Sequence, residues 1–158
     1  MGVEIERKFL VDHRLWKQVK KPAGTHYRQG YLLDDKKRTV RIRVTDKQAY
    51  ITLKGAAKGI SRPEFEYKIP KADAVELLEA FSAPQVEKIR YRIRYGGKLW
   101  EVDEFKSANA GLIVAEIELK EENETFKKPA WVTDEVSDDQ RYYNSNLSIH
   151  PFKTWQKK

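Results

Sequence analysis

Cysteine is absent from the chain, and with it any disulfide framework, thiolate metal site or cysteine nucleophile. Long apolar runs are absent too. Nothing approaches the ~20 consecutive apolar residues that span a bilayer. Charged residues begin at Glu4, and no apolar stretch of signal-peptide length follows. No Pro-, Gly- or Ser-rich linker, internal repeat or low-complexity tract divides the 158 residues. The expectation is one domain over 1–158, soluble and cytoplasmic, with no membrane partner. Histidine is scarce: His13, His26 and His150 have no metal-ligand spacing and read as structural or surface residues.

What the chain has in abundance is charge. Charged residues make up 35% and hydrophobic ones 40%, with 4 Trp and 8 Tyr, too aromatic a mixture for a disordered chain. A net charge of +7 points to an anionic partner: nucleotide, polyphosphate, nucleic acid or a membrane surface. Net charge alone does not choose among these, but the arrangement of the charges narrows the choice.

Most of the sequence alternates with period two, the pattern of strands with unlike faces. Over 3–11, Val3, Ile5, Arg7, Phe9 and Val11 oppose Glu4, Glu6 and Lys8. Over 39–45, Val40, Ile42 and Val44 oppose Arg41 and Arg43. The same alternation runs through 49–54, 64–69, 88–95, 99–103 and 112–120, and 26–33 supplies a further strand of unclear register. That makes about eight strands by pattern. Helical signals are few. Asp73 with Glu76 resembles a capping box ahead of Val75, Leu78 and Phe81, a short helix fits Arg14–Lys20, and Ser137 with Gln140 would cap a third carrying Arg141 and Tyr142. The fold class is α+β, dominated by one antiparallel sheet or barrel. The tail from Lys153 to Lys158 reads as a frayed basic end.

The polar face of these strands is unusual. Its acids are grouped by strand (Glu4/Glu6, Glu64/Glu66, Glu101/Asp103, Glu116/Glu118), and so are its bases (Arg41/Arg43, Lys88/Arg90/Arg92). A solvated outer face is one home for them. Like charges two apart repel, however, and persist more readily with an opposite charge between them. If the charged face curls inward and the helices cover the apolar face, the result is a hydrated charged tunnel without exposed sheet edges. Carboxylate pairs suit Mg²⁺ or Mn²⁺, and arginine and lysine suit phosphate oxygens.

The N-terminal Glu4-Ile5-Glu6-Arg7-Lys8 is an E-x-E-x-K segment on a predicted strand. It is followed in order by Gln29-Gly30-Tyr31-Leu32, Arg41-x-Arg43, Thr52-Leu53-Lys54-Gly55 and Arg62-x-Glu64-x-Glu66. Glu87-Lys88-x-Arg90-Tyr91, Trp100-Glu101-Val102-Asp103, Glu116-Ile117-Glu118 and Arg141-Tyr142-x-Asn144 complete the series. The set resembles the CYTH superfamily, the triphosphate tunnel metalloenzymes, and most of all its short bacterial inorganic triphosphatases. The resemblance implies an eight-stranded antiparallel β-barrel enclosing a charged tunnel, with a few helices outside. It implies Mg²⁺ or Mn²⁺ on Glu4, Glu6, Glu116 and Glu118, and triphosphate oxygens on Lys8, Arg41, Arg43, Lys54, Lys88 and Arg90. Arg62, Glu64, Glu66, Glu101 and Asp103 would supply supporting charge; Lys8 and Glu6 would be catalytic, with Arg141 on a C-terminal lid.

The activity so implied is metal-dependent hydrolysis of inorganic triphosphate to pyrophosphate and phosphate. Class IV adenylate cyclase and thiamine triphosphatase are alternatives on the same scaffold. The partner is a small-molecule triphosphate, and a homodimer is admitted. A non-enzymatic polyphosphate- or RNA-binding module is the reading from another class, since Arg90-Tyr91-Arg92 offers charge and stacking. Nucleic acid is disfavoured because such surfaces have little use for carboxylate pairs.

Overall fold

A computed structural model describes residues 2–81 and 83–155. Its strands and helices are β1 (Gly2–Val11), α1 (His13–Lys17), β2 (Thr25–Asp34), β3 (Arg38–Val44), β4 (Ala49–Gly55), β5 (Ser61–Ile69), α2 (Lys71–Ala80), β6 (Gln85–Tyr95), β7 (Lys98–Phe105), β8 (Ile113–Glu118), β9 (Val132–Glu135) and α3 (Asn144–Ile149). The strands are hydrogen-bonded antiparallel in the order β5-β4-β3-β2-β6-β7-β8-β1-β9, and a β5–β1 pairing closes the first eight into a barrel. β1 is the seam. Its one edge pairs with β8 over Glu6–Leu10, and its other is divided between β5 near Gly2–Ile5 and β9 near Phe9–Val11. No helix among the described residues is long and apolar enough to cross a membrane.

The alternation of the sequence has an inverted meaning here. The charged faces are the buried ones: Lys88 is 0% exposed, Asp103 1% and Arg90 7%, whereas outward-facing Val3 and Tyr67 are 63% and 58% exposed. Hydrophobic burial is supplied mainly by packing outside the wall. One cluster joins Trp16, Trp131 and Phe126 to Phe9, Trp100 and Val102, with the Trp16 and Trp131 rings 4.9 Å apart. A second sets Ala74 and Leu78 of α2 on Ile42, Val44 and Ala49.

Gly30 belongs to the second contact. A Cβ there would stand 2.5 Å from Leu78 Cδ2 and 3.1 Å from Ala83 Cβ, so only glycine lets α2 settle on β2. Gly30→Val is expected to cost ~1–3 kcal/mol of overpacking strain. Part of that loss should return in Gly30→Val/Leu78→Ala, read as urea midpoints.

The third cluster explains where the tunnel ends. Leu10, Val86, Phe105 and Val114 occupy inward-facing register positions, one step beyond Lys8, Lys88, Asp103 and Glu116 on their own strands. They form an apolar floor, sealed from below by fully buried Leu147 of α3. At the opposite end the cavity is rimmed by Ala57, Gly59 and Ile60 of the β4–β5 turn.

Several helix expectations need correction. α2 begins at Lys71, after Pro70, and has no side-chain cap; Asp73 lies inside its first turn. Proline's fixed φ suits this entry, and the Asp73 charge favours the helix N-terminus without capping it. α1 is shorter than 14–20 and is capped by Asp12, whose carboxylate accepts from the Leu15 N–H. Near the C-terminus, Gln140–Tyr142 form one 3₁₀ turn capped by Asp139, because Ser137 is engaged elsewhere. The basic tail is packed as far as Trp155, whose ring meets Tyr142 at 5.2 Å and Phe152 at 5.1 Å; residues 156–158 lie outside the described residues.

Candidate active site

The barrel encloses a cavity of about 310 Å³. Of the side chains singled out in the sequence, all but Asp103 and Arg141 line it. The barrel register brings them together by pairing Lys8 with Glu116, Glu6 with Glu118, Glu101 with Glu116, Arg90 with Asp103, and Lys54 with Glu64. Directly opposed residues of antiparallel strands share a face, so the charges converge without any loop having to fold over them.

One side of the cavity is cationic. Arg90 is clamped from behind by Asp103, with Nε donating to Oδ1 at 2.7 Å and Nη2 to Oδ2 at 2.9 Å, while Nη2 also reaches Glu116 at 3.1 Å. The same Asp103 accepts from Lys88 Nζ at 2.7 Å. Asp103 is therefore a buried buttress behind two cations rather than a lining residue. Arg43 Nε donates to Gln29 Oε1 at 3.1 Å, and its guanidinium lies 4.7 Å from the Tyr27 ring centroid. Arg41 Nη2 donates to Thr52 at 3.1 Å and Glu66 at 3.4 Å, but its buried Nε has no hydrogen-bond partner among the described residues. Burial, then Arg41 and Arg90, pull the Arg43 guanidinium down to about 10. An excess of buried positive charge is what an anion would relieve.

The other side is acidic. Lys54 Nζ reaches both oxygens of Glu4 at 2.9 Å, and Glu64 at 3.5 Å. Burial opposes ionisation of Glu4, but Lys54 outweighs it and holds the carboxyl below its ordinary value. Glu6 behaves oppositely: burial first, and then the neighbouring Glu116, push it well above the usual carboxylate range. Burial also opposes the Glu116 charge, yet its hydrogen bond with Glu6 and the charges of Lys8, Arg90 and Lys88 hold it well below that range. Of the two neighbours, Glu116 is thus the one that holds its charge more readily, and Glu6 the one whose charge burial and Glu116 oppose. Burial, Glu4 and Glu101 raise Glu118 as well.

The donor set is all carboxylate oxygen, and its members Glu6 and Glu118 have raised carboxyls crowded by other carboxylates, so it fits a hard divalent cation in kind. Among the described residues no three carboxylates already converge on one point as a metal site.

Lys8 stands between the two sides. Its backbone N–H donates to Ser137 Oγ at 2.9 Å, its Nζ donates to the Tyr142 carbonyl at 3.2 Å, and the ammonium sits 5.3 Å from the Tyr143 ring centroid. Arg62 is tied to the rim through the Gly55 carbonyl at 3.1 Å and to Thr39 at 3.3 Å. Arg141 is exposed instead: its guanidinium grips Asp139 at 2.7 Å and faces the Trp155 ring at 5.3 Å. None of the three histidines lines the cavity; His26 is bonded to Glu87 at 2.5 Å on the outer surface.

Sequence reasoning missed the neutral members. Tyr31, Thr39, Tyr143 and Asn144 line the cavity, while fully buried Gln29 links Arg43 to the Tyr31 hydroxyl at 2.9 Å; Arg92, grouped with Lys88 and Arg90 in the sequence, lines it too. Tyr31 and Gln29 are recoverable only once the register of β2 is known. Its inward residues are Tyr27 and Gln29, whereas Arg28 turns outward to Gln85.

Residues 2–148 match the family described as CYTH domain. The chain is 49% identical over 157 residues to an inorganic triphosphatase of Acetivibrio thermocellus, covering 99% of each chain. It is 34% identical over 154 residues to an inorganic triphosphatase of Nitrosomonas europaea, covering 92% of this chain and 97% of that one. A crystal structure of an inorganic triphosphatase superposes with a TM-score of 0.65 at 31% identity, covering 94% of this chain and 96% of that one. A putative adenylate cyclase from Bacillus halodurans shares the fold at a TM-score of 0.59 and 20% identity, over 77% of this chain and 84% of that one. With the barrel, the paired carboxylates and the cationic wall in place, the chain belongs to the CYTH family.

Proposed function

We propose that this protein hydrolyses inorganic triphosphate to pyrophosphate and phosphate in the barrel cavity, with Mg²⁺ or Mn²⁺ on the carboxylate side. Residues 1–158 act as one unit in the cytoplasm on this small-molecule substrate. The observation that carries the reading is the division of one enclosed cavity into a cationic side and an acidic side, each short of counter-charge. A triphosphate and a divalent cation supply both at once.

Glu4, Glu6, Glu116 and Glu118 are the proposed metal seat. A cation held there would supply positive charge against the phosphate oxygens. The chain's own contribution is positioning. Arg41, Arg43, Lys88 and Arg90 hold the triphosphate oxygens on the cationic side, with Arg41 Nε free to donate. Lys8 and Lys54, drawn from their carbonyl and carboxylate contacts, complete the cage. Charge that develops on the departing pyrophosphate is stabilised by donors already in place. Arg62, Glu64, Glu66, Glu101 and Asp103 set the charge and orientation of these groups. Arg141 is held at the surface by Asp139 and is assigned no contact with substrate.

An inorganic substrate is favoured over a nucleotide because the two aromatic rings among the described lining residues offer little free face to a base: Tyr31 is 7% exposed, and the Lys8 ammonium sits over Tyr143. The test is phosphate release from inorganic triphosphate and from ATP, each with Mg²⁺, Mn²⁺ or chelator. Release from inorganic triphosphate, lost in chelator, is expected. Pyrophosphate and cyclic AMP from ATP instead would assign a cyclase. Retained binding with no turnover in any metal would leave a binding module, whose affinity should fall with salt.

A further inference from the structure

Lys88 is the most deeply buried cation of the cavity, and its three ammonium protons can be accounted for one by one. One goes to Asp103 Oδ2 at 2.7 Å and one to Asn144 Oδ1 at 3.0 Å. The Phe105 and Tyr27 rings, 5.6 and 6.0 Å from Nζ, flank the group. The third proton is left for the cavity. Asn144 is the first residue of α3, the helix that seals the apolar floor through Leu147. Its amide oxygen must face Lys88, because an ammonium has no acceptor to offer the amide nitrogen.

We propose that Asn144 is a positioning residue for phosphate binding: its side-chain oxygen fixes Lys88 Nζ so that the remaining N–H points at the substrate. The proposal rests on the triphosphatase reading for its kinetic consequence, though not for the contact itself. Asp103 alone leaves the ammonium free to swivel about one anchor, since its other bonds go to Arg90. A neutral acceptor is the right second anchor. A second carboxylate would cancel the Lys88 charge and repel the phosphate. Burial pulls the Lys88 amine down to about 7, Asp103 acting in the opposite sense and Arg90 and Arg43 deepening the fall, so its protonation depends on the acceptors it keeps.

The experiment uses the full chain. Asn144→Leu is expected to lower kcat/KM for inorganic triphosphate about tenfold, the size of one hydrogen bond to a charged group, chiefly through kcat. Asn144→Asp keeps the acceptor and is expected to act chiefly by raising KM. In a Lys88→Met background, Asn144→Leu should cost nothing further, because the two act as one unit. Asn146→Ala serves as control: it lies on the same helix and bonds the Arg141 carbonyl. The second readout is the ammonium resonance of Lys88 in lysine-labelled protein, visible only while its protons are held; Asn144→Leu should remove it and Asn146→Ala should not.

Full additivity with Lys88→Met, or an unchanged Lys88 resonance in a folded Asn144→Leu, overturns the proposal. If the unmodified protein failed to hydrolyse triphosphate, the functional reading would fall, while the resonance would still decide whether Asn144 holds Lys88.

Discussion

Glu6→Gln is expected to reduce triphosphate turnover on the order of 10²-fold or more while leaving the unfolding midpoint unchanged. The floor of that estimate comes from the 10–100-fold losses seen when groups merely supporting a metal ligand are altered. The structural half of the prediction follows from the pairing with Glu116. Burial and the neighbouring Glu116 both oppose a charge on Glu6 and raise its carboxyl. A glutamine of the same size is neutral and offers Glu116 an N–H, so it removes a charge that the fold disfavours there and adds a donor to its neighbour. The difference would appear where Glu6 is asked to hold a cation, since an amide cannot supply the negative oxygen that a hard cation prefers. Steady-state rates over a range of Mg²⁺ and Mn²⁺, beside urea unfolding, separate the two halves. Unimpaired turnover in Glu6→Gln would remove Glu6 from the proposed metal seat.

The strands and their charged faces were open to sequence reading because the signal is local. Alternation of Val40, Ile42 and Val44 with Arg41 and Arg43 fixes a strand and its two faces without any distant contact. Barrel closure follows from the same pattern only if the charged face is inside, and what placed it there was the ordered series of segments from Glu4 to Asn144. The parts that escaped depend on register or on the tail. Tyr27, Gln29 and Tyr31 keep the period of two, but none carries the charge that marks the inner face elsewhere. The bulge between Tyr31 and Leu33 breaks the alternation beyond them that would have fixed which face of β2 is inside. The floor escaped because Leu10, Val86, Phe105 and Val114 are apolar on the face that elsewhere carries charge, and read singly they look like strand ends. Ser137 has the right chemistry for a helix cap. Its hydroxyl instead meets the Lys8 backbone, a contact across 129 positions that no local rule anticipates.

Asp103→Asn is expected to destabilise the fold by on the order of 3–5 kcal/mol, more than Gly30→Val, because it strips two buried cations of their shared counter-charge. Asp103 accepts from Lys88 and twice from Arg90, and it is itself 1% exposed. An amide there loses the charge and turns one acceptor into a donor facing donors. Burial opposes the Asp103 charge, but Arg90 and Lys88 outweigh it and hold the carboxyl below its ordinary value. A depressed carboxyl contributes stability that is complete above its unfolded pKa and lost as pH falls through the folded one. The native protein therefore keeps this contribution at neutral pH and loses it only in acid. The variant's deficit should have its own pH dependence. Lys88 can shed its proton and Arg90 cannot, and a lysine whose folded pKa lies below its unfolded value gives stability that rises with pH. Urea unfolding at about pH 6 and at about pH 8.5, across the Lys88 value of about 7, should thus show the larger deficit at the lower pH. Inorganic triphosphate added without metal should stabilise Asp103→Asn more than the native chain, since an anion bound only by the folded state replaces the missing charge. Equal deficits at both pH values and equal stabilisation by triphosphate would mean that Asp103 is not what balances Lys88 and Arg90, and that the buttress behind the cationic side lies elsewhere.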